Sequence, residues 1–183
     1  MLGRARALGE DAAQIFVKSN RQWRMASLAE SEREGFLRGK TEMDLWVCAH
    51  AGYLINLAGQ AEIRKKSLLS LAEEIRRAEE LGLETLVVHC GSRGEASSSQ
   101  AVARAVEGFQ EALERSETTR IRLALENSAG QGSCLASGIQ EWGEMVQGLP
   151  SKRRAACLDT AHAFAAGFDL RNEEGRESLL EAC

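Results

Sequence analysis

Five short apolar runs recur along the chain, separated by longer stretches whose apolar residues repeat at helical spacing. The runs are AAQIFV (12–17), DLWVCAH (44–50), TLVVHCG (85–91), RLALEN (122–127) and AACLDT (155–160). Each has the length of a strand and a largely apolar body, the pattern of a strand buried on both faces. Among the intervening stretches the clearest is 61–81, where Leu68, Leu69, Leu71, Ile75, Ala78 and Leu81 mark an apolar face and Gly82 supplies a stop. A second covers 98–115, with Val102, Val106, Phe109 and Leu113 on one side. Ser27 is placed to cap a helix over 28–39, a helical stretch runs from Leu2 to Gly9, and a last one begins near 173. Strand–helix alternation of this kind predicts an α/β domain on a parallel sheet.

The polar residues that close the runs narrow the architecture. His50, His89, Glu126 and Asp159 stand at the C-terminal ends of successive runs, 39, 37 and 33 residues apart, about one βα unit each time. In a (β/α)8 barrel that end is where functional side chains converge. All three histidines of the chain, His50, His89 and His162, fall at these ends. A closed barrel of such units needs eight strands and about 290 residues. The expected fold is therefore a partial TIM barrel, a single incomplete domain over 1–183 with about five parallel strands and two bare sheet edges.

Composition changes this picture little and excludes much. The 183 residues are 44% hydrophobic and 27% charged, the balance of a globular domain with a sizeable core. A net charge of −4 argues against bulk attraction to nucleic acid, so any such contact must come from a local patch. No apolar run approaches the length of a membrane span and the first residues lack a signal-peptide pattern, which makes cytoplasm the expected compartment. Cys48, Cys90, Cys134, Cys157 and Cys183 contain no CxxC pair and are odd in number; they read as packing residues in a reducing compartment.

His50, His89, Glu126, Asp159 and His162, gathered at one rim, make a metal-ligand set. Imidazole and carboxylate suit zinc, and a shared carboxylate bridges two ions. Taken singly, each is equally a hydrogen-bonded rim or core residue; the set of five points to metal. In CLDTAHAFAAG (157–167), Asp159 and His162 stand three apart among small residues that leave space, an arrangement suited to two different ions. In ENSAGQGS (126–133), Glu126 closes a strand, Asn127 is placed to orient it, and Gly130, Gln131 and Gly132 let backbone approach a ligand. Gly91 and Ser92 make a tight turn after His89, with Arg93 beside it as a phosphate contact or a solvated surface residue.

Two further stretches bear on partners. NRQWR (20–24) joins basic and aromatic residues of the kind that meet phosphates and unstacked bases. HAGYLINL (50–57) sets Tyr53 and Leu54 just after a candidate ligand, as wedges into a nucleic-acid stack or as ordinary rim residues. SLLSLAEEIRRAEELG (67–82) reads as a helix face and nothing more.

Taken in order, FVKSNRQWR, HAGYLINL, VVHCGS, ENSAGQGS and CLDTAHAFAAGFDL resemble the endonuclease IV family of abasic-site DNA repair enzymes (AP endonuclease family 2), from about residue 5 onward. The resemblance implies a (β/α)8 barrel, monomeric, with three zinc ions. It implies hydrolysis of the phosphodiester 5′ to an abasic site in double-stranded DNA, in base excision repair. By motif position, His50, His89 and Glu126 hold a first zinc, Glu126 bridges to a second that Asp159 also binds, and His162 binds a third. Glu126 and Asp159 are then the catalytic carboxylates, and Arg21, Gln22, Tyr53 and Leu54 enter the kinked DNA. The family's HPGSH stands here as His89-Cys90-Gly91-Ser92-Arg93, and no histidine follows His162. The expectation is a chain lacking the family's first strand and C-terminal third, holding fewer zinc ions and cleaving weakly. The alternatives are a sugar isomerase or epimerase on a related metal-binding barrel, and a non-catalytic remnant that binds metal or DNA.

Overall fold

The computed structural model describes residues 2–182. Its elements run α1 (Leu2–Leu8), β1 (Ala12–Phe16), α2 (Glu30–Glu42), β2 (Trp46–His50), α3 (Ala61–Glu80), β3 (Thr85–His89), α4 (Ser98–Ser116), β4 (Arg122–Glu126), α5 (Ile139–Gln147), β5 (Arg154–Cys157), α6 (Thr160–Ala165) and α7 (Glu173–Ala182). The five strands pair in parallel in the order β1-β2-β3-β4-β5. Every strand lies beside its sequence neighbour, whereas a doubly wound sheet reverses direction at a switch point. With one crossover hand, this order sends the connecting helices to one face and leaves the other as the concave wall of a barrel.

The core fills the space between sheet and helices. Leu86 and Val88 of β3 and Leu123 and Leu125 of β4 meet Leu71 and Ile75 of α3 and Phe109 and Ala112 of α4 in one apolar cluster without accessible surface. Each such leucine or phenylalanine contributes roughly 1.5–3 kcal/mol by burial. The two-faced burial expected of the strands holds for β2, β3 and β4 but not for β1 and β5, whose residues are exposed or half-buried. Those two are the sheet edges, each paired on one side only among the described residues.

The helices depart from expectation in detail. Leu69 is 51% exposed, and Ser67, Ser70 and Glu74 join Leu68, Leu71, Ile75 and Ala78 on the buried face of α3. In α4 the inward face is set by Ala101, Ala105, Gly108, Phe109 and Ala112, with Val102 and Val106 at its margin. A Cβ on Gly108 would lie 2.9 Å from the Leu57 Cβ, so this glycine lets α4 close onto the segment before α3. Ser27 is not the cap of α2, which starts after Ala29, whose N–H donates to the Glu32 carboxylate at 3.1 Å. Gly82 ends α3 in the left-handed conformation (φ +63°) that its identity predicts. Neither α5 nor α6 follows from the apolar pattern: Gly143 interrupts the first, and the second hides in a run of small residues.

Cys48, Cys90, Cys134 and Cys157 are free thiols, and Cys183 lies outside the described residues. Burial pushes the Cys90 thiol far up, and burial with nearby carboxylates takes Cys157 up to about 11, so both stay protonated and inert. Among the described residues no helix is long and apolar enough to cross a membrane.

Candidate metal centre

The strand register gathers the polar strand ends. Phe16 stands opposite His50, His89 opposite Glu126, and Glu126 opposite Cys157. His50, His89 and Glu126 are each the last residue of a strand. Asp159 lies two residues beyond β5 as the N-cap of α6, where its Oδ1 accepts the His162 N–H at 2.9 Å. This cap turns the chain so that the His162 ring comes back over β4.

Glu126 is the hub. Its carboxylate is buried, 5% exposed, and three imidazoles surround it: His50 Nε2 at 3.1 Å, His162 Nδ1 at 3.3 Å and His89 Nδ1 at 3.6 Å. His50 Nδ1 lies 2.7 Å from the Ala51 carbonyl, which only accepts, so that nitrogen carries a hydrogen. A neutral His50 therefore turns a bare lone pair toward the Glu126 carboxylate. A proton or a cation must sit between them. Burial pulls the His50 pKa down, but the Glu126 carboxylate and the Ala51 carbonyl outweigh it and the net direction is up. For His89, burial and the two neighbouring imidazoles win over Glu126, and the pKa falls. Burial also opposes charge on Asp159, yet the His162 N–H and the His162 imidazole hold its pKa below the usual range.

Two groups of donors result, His50–His89–Glu126 and Glu126–Asp159–His162, each with its ligand atoms within 4.8 Å of one another. Glu126 belongs to both. Asp159 and His162, expected to serve different ions, offer their donors to one group. The residues fit a divalent cation: imidazole and carboxylate are the right donors, a buried carboxylate faces His50 Nε2, which has a bare lone pair whenever the ring is neutral, and among the described residues no lysine or arginine lines the cleft.

Asn127 plays a different part from the one its position suggests. Its side chain bonds to the Asp159 backbone rather than to Glu126. Its Nδ2 donates to the Asp159 carbonyl at 3.2 Å, its Oδ1 accepts the Asp159 N–H at 2.7 Å, and its own carbonyl accepts from His162 Nδ1 at 2.9 Å. The last bond fixes the proton on Nδ1 and frees Nε2 as a ligand, the usual work of a partner behind a metal histidine.

The rim carries the remaining residues singled out in sequence. Tyr53, 52% exposed, stands over the cleft with its ring 5.5 Å from His50 and 5.8 Å from His89, and Leu54 beside it is half-buried. Arg21 and Gln22 are exposed on the loop after β1. That loop touches the Tyr53 loop directly, where the Tyr53 N–H donates to the Asn20 carbonyl at 2.9 Å. Phe16, which the sequence does not single out, packs edge-on against Tyr53 at 5.5 Å and near His50 at 5.4 Å. Its signal is its place, the last residue of a strand whose neighbours end in ligands. Arg93 is exposed, with Nη1 donating to the Ala96 carbonyl; it turns to its own loop rather than to the cleft.

Comparison with known proteins matches residues 2–181 to the xylose isomerase-like TIM barrel family. The chain belongs to this family. Within the family, the endonuclease IV resemblance read from the motifs stands. A protein of Nitratidesulfovibrio vulgaris (strain DP4) named probable endonuclease 4 is 33% identical over 176 residues, which cover 95% of this chain and 62% of that protein. The crystal structure of endonuclease IV from Thermus thermophilus superposes with a TM-score of 0.85 at 35% identity, over 99% of this chain and 64% of that one. A D-tagatose 3-epimerase-like protein follows at a TM-score of 0.72 and 23% identity, over 91% of this chain and 62% of the other, a likeness of fold. The chain thus spans just under two thirds of the length of the endonuclease IV relatives it matches.

Proposed function

We propose that this member of the xylose isomerase-like TIM barrel family serves zinc-dependent hydrolysis of the phosphodiester 5′ to abasic sites in double-stranded DNA. The observation that carries the reading is Glu126, a buried carboxylate common to two donor groups and ringed by three imidazoles, in a cleft that the exposed Tyr53 also lines. The names of the relatives and the order of the motifs support the same reading.

His50, His89 and Glu126 hold one ion in this proposal, and Glu126, Asp159 and His162 hold a second, fewer than the three expected of the whole family fold. Bound zinc supplies Lewis acidity at phosphorus and a more acidic attacking water. The protein's own part is to fix the ligands. Asn127 holds Asp159 and His162, the Ala51 carbonyl orients His50, and β3 and β4 set His89 and Glu126 in register. Tyr53, Leu54, Arg21 and Gln22 form a rim on which an unpaired abasic nucleotide is extruded more easily than a stacked one.

The test is zinc titration followed by incision of a duplex with one abasic site. The expected result is at most two zinc ions per chain, with chelator-sensitive incision confined to the abasic strand and lost in Glu126→Gln. Zinc retention that ignores this substitution, or equal cutting of intact duplex, overturns the reading.

A further inference from the structure

We propose that the buried Lys18–Glu74 ion pair is a positioning device that locks the 19–24 and 51–55 loops into one unit, so that Arg21, Gln22, Tyr53 and Leu54 meet DNA together. The DNA half of this inference rests on the function proposed above; the locking itself does not. Lys18 follows β1 by two residues and Glu74 sits well inside α3, and their charged groups are 3.3 Å apart with side chains 3% and 1% exposed.

Each partner reaches a different loop. The Lys18 ammonium donates to the Gln22 carbonyl at 2.8 Å and the Trp23 carbonyl at 3.1 Å, which folds the first loop back over it. The Glu74 carboxylate accepts the Gly52 N–H at 2.8 Å and so holds the first turn of the second loop. Ser70 stands between them, bonded to both. At the junction, a Cβ built on Gly52 would lie 3.4–3.5 Å from the Asn20 carbonyl, the Glu74 carboxylate and the Lys18 Cε at once. The direct bond from the Tyr53 N–H to the Asn20 carbonyl then joins the loops to each other.

A buried pair gains little stability over well-packed apolar side chains of the same size. What the pair supplies here is geometry. Apart from Ser70, every hydrogen bond it makes goes to the backbone of a loop carrying exposed candidate contacts, and such loops otherwise move independently.

The test compares wild type with Lys18→Met, Glu74→Gln and the apolar double variant Lys18→Met/Glu74→Met, which avoids an unpaired buried charge. Hydrogen exchange reads the lock without DNA. The Gly52 and Tyr53 amides should exchange roughly tenfold faster in all three variants. Affinity for a duplex bearing a tetrahydrofuran abasic analogue reads the consequence. In wild type, Arg21→Ala and Tyr53→Ala should depart from multiplicative effects by roughly tenfold, and in the double-methionine background by less than about twofold. Zinc retention should not change. Faster exchange at Gly52 with Tyr53 still protected, or coupling that survives in the double variant, overturns the proposal. Equal affinity of wild type for abasic and intact duplex overturns the DNA reading alone, and the exchange data then decide the lock.

Discussion

Glu74 on α3 and Glu126 at the end of β4 are both buried carboxylates, 0% and 5% exposed, yet they are neutralised in opposite ways. Glu74 has a lysine of its own, a serine and a backbone N–H, all within hydrogen-bonding reach. Glu126 has three imidazoles, groups that gain or lose a proton near neutrality and that ligate metals. The first arrangement is complete and leaves no role for a further cation. The second is complete only when something positive joins it. The chemistry of the partners, rather than burial, separates a locking carboxylate from a binding one.

The largest effect that tests this contrast is at the open site. Replacing Glu126 by Ala should cost zinc affinity in both donor groups together, well beyond the roughly 10–100-fold typical of an outer partner. The metal-free protein should keep its fold, because the buried charge leaves with the side chain. Equilibrium dialysis against zinc, with circular dichroism of the apo form, measures both. Loss of one ion with the other retained would mean that the carboxylate is not shared.

At the closed site the order reverses. Lys18→Met strands the Glu74 charge in the core and should destabilise the fold by about 3–5 kcal/mol. Zinc affinity should stay within error once the protein is folded. Urea denaturation of the single variants and the double-methionine variant makes the comparison sharper, since the double should recover most of the loss. A double variant as unstable as Lys18→Met would mean that packing, not charge, sets the cost.

The two carboxylates are not equally legible in sequence. Glu126 can be read because strands place function at their C-terminal ends, and the runs ending in His50, His89 and Glu126 are largely apolar up to that residue. The alternation of such runs with helical stretches likewise predicts the parallel sheet. Glu74 is concealed within SLLSLAEEIRRAEELG because it sits among five other charges, and charged helix residues are usually solvated. The signal is its phase: it falls between Leu71 and Ala78 on the stripe that also holds Ile75. Its partner cannot be inferred at all, since Lys18 is far away in sequence and meets it only after β1, β2 and α3 have packed. Asn127 is visible in sequence but suggests the wrong neighbour, because just past the strand its side chain turns to the Asp159 backbone, a partner that adjacency in sequence does not reveal.

Asn127 supplies the third test, of intermediate size. Its side chain holds only one of the two donor groups, through two hydrogen bonds to the Asp159 backbone; the His162 ring is held by the Asn127 backbone carbonyl, which a side-chain substitution keeps. Asn127→Ala should weaken zinc binding to Glu126–Asp159–His162 by roughly 10–100-fold while leaving the His50–His89–Glu126 group intact. Stepwise zinc titration resolves the two events. Equal weakening of both would show that Asn127 supports Glu126 after all.

The smallest effect returns to Glu74 and concerns protons. Burial raises its pKa more than the Lys18 ammonium, the Gly52 N–H and Ser70 lower it. The folded chain then binds this proton more tightly than the unfolded one. The contribution of Glu74 to stability is full below the unfolded carboxylate pKa and is lost as pH rises through the folded value. Glu74→Gln cannot titrate, so the stability of wild type relative to this variant should decline across the carboxylate range and level off above it. Denaturation midpoints of both proteins from about pH 4 to neutrality, starting near the ordinary carboxylate pKa, read the slope directly. A difference that grows with pH would mean that Lys18 outweighs burial and that the closed site is held chiefly by its charge.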